Sequence, residues 1–252
     1  MTETKTYEWG TMAEMFGPRH EHRLGMILAE TASIPRNTRV LEAAIGLGQL
    51  AVRLQGQGLR VFGIDGSFEA ARHVRRTTSV PVVLGDLTKM PFRSHAFGAV
   101  TSGETLEHLD DDASAVAEIG RVLEREGRCV VTVPACESLR TSSDTYYEHR
   151  RRYTRSGLTS LFTARGFDIR KATYWGFPVV LIYDTLFILP MNLRRRRQAV
   201  SEDPALRSVA RAGRSRTLVS LVKAVFSIDR LFSFVPYGPG LLMVGEKRRI
   251  QN

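Results

Sequence analysis

The chain has 252 residues, of which 43% are hydrophobic and 25% charged, with a formal net charge of +10. That length suits one large domain, or one domain with an insertion, and the apolar share is enough for a sizeable core. Two cysteines, Cys129 and Cys136, exclude a disulfide framework and a cysteine-based zinc site.

The first ten residues, MTETKTYEWG, are polar and lack the apolar stretch of a signal peptide. No run reaches the roughly 18 uninterrupted apolar residues of a spanning helix, so a cytoplasmic enzyme is expected. Residues 10–33 recur at roughly helical spacing through Met12, Met15, Phe16, Leu24, Met26, Ile27 and Leu28. Gly17-Pro18 divides this stretch, with Pro18 opening the second helix. Arg19, His20, His22 and Arg23 on that helix are expected to form a solvated face.

After an Asn37-Thr38 turn, apolar strands and helical runs alternate. Strands are expected at Arg39–Ala43, Leu59–Ile64, Val80–Leu84, Gly98–Ser102 and Arg128–Val133, with helices at Gln49–Gln55, Ser67–Arg76 and Asp111–Glu124 between them. The alternation predicts an α/β domain with parallel strands and helices on both faces. Cys129 falls inside the fifth strand and should be a buried thiol. Thr154 is a candidate N-cap for a helix ending near Ala164, with Gly166 as its stop. Phe167–Tyr174 and Leu241–Glu246 are the sixth and seventh strands.

About 65 residues separate those last two strands, far more than a hairpin needs. Phe177–Pro190 is almost wholly apolar, Arg194–Arg197 follows, and Leu218–Phe234 returns to helical periodicity. Residues 193–216 hold eight arginines against Glu202 and Asp203, a net +6 of the chain's +10. A uniformly basic fold would suggest nucleic acid; a local block suggests an exposed segment instead. Residues 177–216 suit a buried helix with a solvated basic turn, an interfacial helix on an anionic bilayer, or a homodimer surface. The expected organisation is a helical cap over 1–36, a cofactor-binding core over 37–174, a helical insertion or substrate lid over 175–240, and a last strand and tail over 241–252.

The main chemical signal runs from the first strand into the next helix: Val40-Leu41-Glu42-Ala43-Ala44-Ile45-Gly46-Leu47-Gly48. Small residues at 44, 46 and 48 permit a sharp turn and close approach of a ligand to main-chain amides. Asp65, at the end of the second strand, can accept both hydroxyl protons of a ribose. Asp86 and Leu87 follow the third strand, where a carboxylate can accept from an adenine amine; a turn or helix cap is the ordinary alternative. Together these narrow the ligand to a nucleotide-like molecule.

Five ordered stretches, VLEAAIGLG, VFGIDGS, LGDLTKMPF, FGAVTSGETLEHLDDD and EIGRVLEREGRCVVTVPA, resemble the ubiquinone/menaquinone-type (methyltransferase type 11) branch of class I methyltransferases that use S-adenosylmethionine (SAM). The resemblance covers residues 39–134 and extends to about 175 through YYEHRRRYT, which is similar to a His-Arg-Tyr segment lining the substrate side in bacterial members. It implies a Rossmann-like, seven-stranded, mostly parallel sheet with helices on both faces, the last strand antiparallel, and a helical insertion before that strand. It also implies SAM as cofactor, S-adenosylhomocysteine as product, and a cofactor pocket formed by Glu42, Ala44, Gly46, Gly48, Asp65, Gly66, Asp86, Leu87, Ser102, Gly103 and Glu104. Two positions depart from the branch: Ala44 replaces its first glycine, and Gly98 replaces an Asp, which should remove a surface contact.

Methyl transfer requires alignment of the acceptor and, for some acceptors, removal of its proton. His149 is favoured as the base and His108 is the second candidate. Each also suits a structural role. Tyr147, Tyr153 and Trp9 are candidate substrate-wall residues, and Tyr7 or Arg19 could close the pocket. Glu104, Glu107 and Asp110–Asp112 form an acidic cluster, but Asp111 and Asp112 suit a helix start, so no metal is expected.

The expected function is methyl transfer to a small-molecule acceptor, O-methylation first and C- or N-methylation next, in bacterial secondary or cell-envelope metabolism. Alternatives are methylation of a lipid-linked substrate at the membrane surface, and a non-catalytic membrane-associated protein with a degenerate cofactor pocket. A nicotinamide oxidoreductase would share Gly46, Gly48 and Asp65 but needs a Tyr-Lys pair that is not evident. No nucleic-acid partner is expected, since few aromatics lie near the basic block and no Asn-Pro-Pro-Tyr-like site follows the fourth strand.

Overall fold

The computed structural model describes residues 17–195 and 215–249. Seven strands form one sheet: β1 (Arg39–Ala43), β2 (Arg60–Asp65), β3 (Val82–Leu84), β4 (Phe97–Gly103), β5 (Leu123–Pro134), β6 (Phe167–Trp175) and β7 (Gly240–Lys247). Their spatial order is β3-β2-β1-β4-β5-β7-β6. The first five are parallel, and β7 runs antiparallel between β5 and β6. The strand order reverses beside β1, between β1 and β4, and this topological switch opens a crevice at the strands' C-terminal ends.

Alternate residues divide the core into two layers. Val130 lies on one side of β5 with Val40, Ala99 and Leu242. Val131 lies on the other with Leu41, Val100 and Met243. A period of two along strands buried on both faces produces this split. The helices α2 (Gln49–Gly56) and α3 (Phe68–Thr77) follow β1 and β2; α4 (Asp112–Val122) and α6 (Arg155–Thr163) supply Ile119, Leu158 and Phe162 to the opposite layer. Thr154 caps α6 by accepting the Gly157 amide proton, and Gly166 ends it at φ +80, as the sequence suggests.

β5 starts at Leu123 rather than Arg128, because Leu123 pairs with Phe97 before a bulge carries the register to Ala99 and Arg128. Gly98, at that irregularity, is more than a lost surface contact. A Cβ there would lie 2.6 Å from Thr38 Cγ2, so the larger residue would need local rearrangement.

α1 (Pro18–Thr31) opens at Pro18. Contrary to the expected solvated face, Arg19, His20, His22 and Arg23 are all partly covered. His20 Nε2 lies 3.0 Å from Gln49 Oε1, and the His22 ring packs 6.1 Å from Trp175 and 5.7 Å from Phe226. The cause is α2 on the His20 side and, over His22 on the outer side of α1, the insertion. It comprises α7 (Val179–Tyr183), a π turn (Asp184–Ile188), α8 (Leu189–Arg195) and, past the undescribed 196–214, α9 (Arg216–Phe226) with a 3₁₀ segment (Ser227–Phe232). Asp229 accepts the amide protons of Val179 (2.7 Å) and Val180 (3.0 Å), so a carboxylate from the insertion's second arm caps the helix that opens its first.

Two outcomes follow from this packing. Burial, aided by Arg23 for His20 and by Arg230 for His22, pushes their pKa values down to about 3 and about 4. The unfolded chain therefore takes up protons near pH 6.5 that the fold refuses, and stability should fall as pH drops from about 6.5 toward 4. Urea unfolding at pH 7.5 and 5 should show that loss, reduced in H22Q; an unchanged slope in H22Q would remove His22 from the account. Gly240→Ala would set a Cβ 2.2 Å from the Trp175 ring. It should destabilise by about 1–3 kcal/mol, measured as a lower urea midpoint.

Candidate functional site

The loop leaving β1 folds tightly, with Ala44 at φ +61, Gly46 at +53 and Gly48 at +75. A non-glycine residue at positive φ costs about 1–2 kcal/mol, and Ala44 adopts it without disturbing the turn. The Asp65 carboxylate at the tip of β2 holds this loop: Oδ2 accepts the Gly46 amide proton and Oδ1 that of Ser67, both at 2.8 Å. Burial raises the Asp65 pKa, opposed by those two amides. Glu42, one strand over, is buried and its Oε2 has no hydrogen-bond partner. Burial, and then the proximity of Asp65, pushes its pKa well above the usual carboxylate range.

These features fit an adenosyl amino acid. Its ammonium and ribose hydroxyls are donors, and Glu42 and Asp65 are acceptors beside a loop in which a Cβ at Gly46 would meet nothing. Asp86 is different in kind. It is exposed, and its two oxygens accept from the Thr88 amide and hydroxyl, each at 2.8 Å. This is the turn arrangement, while neighbouring Leu87 is buried. Ser102 and Gly103 end β4, with the Ser102 hydroxyl buried and without a partner. Glu104 follows at φ +56 and is ion-paired with Arg23 at 3.4 Å and Arg19 at 3.9 Å. Burial would raise its pKa, but Arg23 and Arg19 outweigh burial and hold it low. Arg19 also pairs with Asp184 of the π turn at 3.0 Å and lies 5.3 Å over the Trp175 ring. The insertion and α1 thus meet at the β4 tip.

His108 and His149 come together, their ring centroids 4.9 Å apart. Backbone bonds join their segments: the Arg150 amide donates to Glu107 O at 2.9 Å, and Arg150 Nε to His108 O at 2.8 Å. Asp144 fixes His149, accepting from Nδ1 at 2.9 Å, while also accepting from Arg152 Nε (2.8 Å) and the Thr141 amide (2.7 Å). Burial works against its ionised form, but these partners outweigh burial and depress its pKa strongly. His149 Nε2 then points inward, 4.0 Å from Glu107 Oε1. Burial and the neighbouring His149 push His108 down to about 4. An open cleft of about 580 Å³ reaches both imidazoles, bordered also by Thr145, Glu148 and Arg150.

Tyr147 reaches this region, donating its hydroxyl to Asn192 of α8 at 3.3 Å. Asn192 Nδ2 in turn donates to Ser143 Oγ at 2.9 Å, joining the insertion to α5 (Ser142–Tyr146). Tyr153 turns the other way, into the core, and donates to Asp112 at 2.7 Å, so it is a packing residue rather than part of the wall. Its ring fills space beneath α4 because the bridge between Ala135 and Tyr153 fixes its backbone. Trp9 and Tyr7 lie outside the described residues. Asp111 caps α4 through Ser114, and Asp110 and Asp112 pair with Arg150 and Arg151, as a helix start predicts.

Asp144 and Asp184 belong to the site without being candidates on sequence pattern. Asp144 had one legible signal, the Thr141-x-x-Asp144 spacing of a capping box, which forms here. Asp184 had none beyond being a carboxylate in an apolar run.

Residues 41–131 match the methyltransferase-domain family. A protein of Mycolicibacterium smegmatis named "probable S-adenosylmethionine-dependent methyltransferase" is 32% identical over 133 residues, covering 52% of this chain and 52% of that protein. The ubiquinone/menaquinone biosynthesis C-methyltransferase of Desulfotalea psychrophila is 30% identical over 126 residues, covering 47% and 51%. The chain thus spans about half the length of these curated relatives. In fold it is similar to a [4+2]-cyclase, with a TM-score of 0.63 at 19% identity over 97% of this chain and 87% of that one.

Removing Asp144 should loosen the whole histidine segment. Asp144→Ala leaves Arg152 buried without its partner, a change that costs about 3–5 kcal/mol. Calorimetry should show a melting temperature lower by roughly 6 °C or more; a shift under about 2 °C would mean that Asp144 does not organise the segment.

Proposed function

We propose that the chain is a class I SAM-dependent methyltransferase of the ubiquinone/menaquinone-type branch and that it transfers a methyl group to a small-molecule acceptor. The observation that carries this reading is the Asp65 carboxylate bonded to the Gly46 and Ser67 amides beside the buried Glu42, whose Oε2 has no hydrogen-bond partner. When bound, SAM supplies an electrophilic methyl on a sulfonium that is already a good leaving group. Glu42, Ala44, Gly46, Gly48, Asp65 and Gly66 form the amino-acid and ribose side of the pocket in this reading. Asp86 and Leu87 flank the base, and Ser102, Gly103 and Glu104 lie toward the reacting centre.

On the acceptor side, His149 and His108 both line an open cleft, with the His108 ring nitrogens covered in this conformation. A nitrogen lone pair there can take the proton of a hydroxyl, amine or activated carbon acceptor. The depressed His108 pKa keeps that ring neutral at physiological pH. Asp144 holds the His149 ring in place, and Tyr147 forms part of the wall. O-methylation is the first choice and C- or N-methylation the next.

One observation favours a second reading of the acceptor. Leu221, Leu231 and Phe234 are 61%, 73% and 79% exposed, and Ile182, Leu186 and Phe187 are exposed on the insertion's other arm. Together with the arginines of 193–216, this apolar surface suits an acceptor carried by an anionic bilayer. No helix among the described residues is long and apolar enough to cross a membrane. The degenerate-pocket reading has less support, because Ala44 preserves the turn.

Calorimetry with S-adenosylhomocysteine tests the cofactor assignment. The wild-type chain should bind it and ignore nicotinamide dinucleotide, and Asp65→Ala should weaken binding at least about tenfold. Absence of binding by the wild type would overturn the assignment. Sedimentation with phosphatidylcholine/phosphatidylserine vesicles tests the acceptor. Pelleting that is lost in L231S/F234S favours the lipid-borne acceptor, and no pelleting by the wild type favours the soluble one.

A further inference from the structure

Glu107 stands in a setting that a carboxyl group does not tolerate alone. It is 0% exposed, and neither of its oxygens has a hydrogen-bond partner outside its own backbone amide. A buried ionised carboxylate without compensation is costly, and a neutral carboxyl still leaves its hydroxyl without an acceptor. Burial and the nearby Glu104 push its pKa well above the carboxylate range.

What surrounds Glu107 is a set of metal-ligand atoms. Its Oε1 lies 3.8 Å from His108 Nε2 and 4.0 Å from His149 Nε2, and one ligand atom from each of the three residues lies within 4.8 Å of the others. Bonds of about 2.1 Å at tetrahedral angles place ligand atoms about 3.4 Å apart, so the two carboxylate–imidazole distances must shorten by about half an ångström and the imidazole–imidazole distance by at most about 1.4 Å, within reach of rotamer adjustment. The Glu104 Oε1 is a second buried carboxylate oxygen without a partner in the same neighbourhood.

The supporting contacts are those a metal site needs. His149 Nδ1 is bonded to the Asp144 carboxylate, which fixes the ring with Nε2 inward. His108 is held by the backbone of Glu148. Main-chain bonds from Arg150 lock the two ligand-bearing segments together. The open cleft touching both histidines is an entry path.

We propose that Glu107, His108 and His149 form a three-ligand site for a divalent transition cation, with zinc the first candidate and Glu104 able to approach as a fourth ligand. Two imidazoles and one carboxylate favour zinc, cobalt, manganese or iron over magnesium or calcium, which prefer all-oxygen sets. Three protein ligands leave a position open on the cleft side. An acceptor oxygen bound there would have its pKa lowered by the cation, and this role rests on the methyl-transfer reading. The His149 Nε2 lone pair is then committed to the cation rather than to the acceptor's proton.

The test uses the full chain after chelator dialysis. Cobalt(II), followed by its visible absorption, should bind at one equivalent and be displaced by zinc. Glu107→Gln and His149→Ala should each weaken binding at least about tenfold, while His73→Ala, on the exposed face of α3, should not. Cobalt binding no tighter than about 1 mM, or equal binding by the wild type and both folded variants, overturns the site. Should either variant fail to fold by circular dichroism, the wild-type cobalt spectrum decides: intense bands of a low-coordinate nitrogen/oxygen site support the proposal, and the weak spectrum of the hexaaqua ion overturns it. Calorimetry with S-adenosylhomocysteine on the same metal-free sample separates the two readings. Cofactor binding without metal binding sinks the metal site alone, and the reverse sinks the cofactor assignment alone.

Discussion

The carboxylate of Asp65 joins two strands and a loop that would otherwise be independent. A parallel sheet ends in a row of chain exits, each free to choose its own turn. By accepting the amide protons of Gly46 and Ser67, Asp65 fixes the exits of β1 and β2 relative to each other. The left-handed turns at Ala44, Gly46 and Gly48 are held against their own strain by that bond and by the packing of Val74 on Gly48. The places of Glu42, Gly46 and Gly48 relative to Asp65 depend on that arrangement. A loop free to swing would separate Glu42 and Gly46 from Asp65.

The β4 and β5 exits solve a different problem, the burial of charge. Glu104 is held ionised by Arg19 and Arg23 of α1, Asp144 by His149 and Arg152 of its own segment, and Asp184 pairs with Arg19. Such pairs add little net stability, because desolvation offsets most of the attraction, but they fix geometry and leave few alternatives. Glu107 is the exception in this set. Its lack of any hydrogen-bond partner beyond its own backbone amide, beside two imidazoles, sets it apart from its well-matched neighbours.

The insertion connects the two regions. Asp184 reaches Arg19 from a π turn, a local widening of the helix that recurs at functional sites. Asn192 holds Tyr147, and Asp229 secures the insertion's two arms to each other. Among the described residues, the same segment carries most of the exposed large apolar side chains. Through Asn192 and Tyr147 the segment that carries this apolar surface also touches the histidine region. The fold alone is silent on chemistry, since a cyclase shares it.

The α/β alternation, the strand positions, the helix starts at Pro18, Asp111 and Thr154, and the glycine turn after β1 were legible from residue order, because each is local: period, cap and turn chemistry act within a few residues. The antiparallel last strand came only from resemblance to a family. Three-dimensional packing decided the rest. It buried the expected solvated face of α1, since only the folded insertion could cover His22, and it sent Tyr153 into the core. It also brought Asp144, His149, His108 and Glu107 to one point from two strand exits, and joined Arg19 to Asp184 across 165 positions. Contacts at such separation depend on how the layers close, and no local pattern records that.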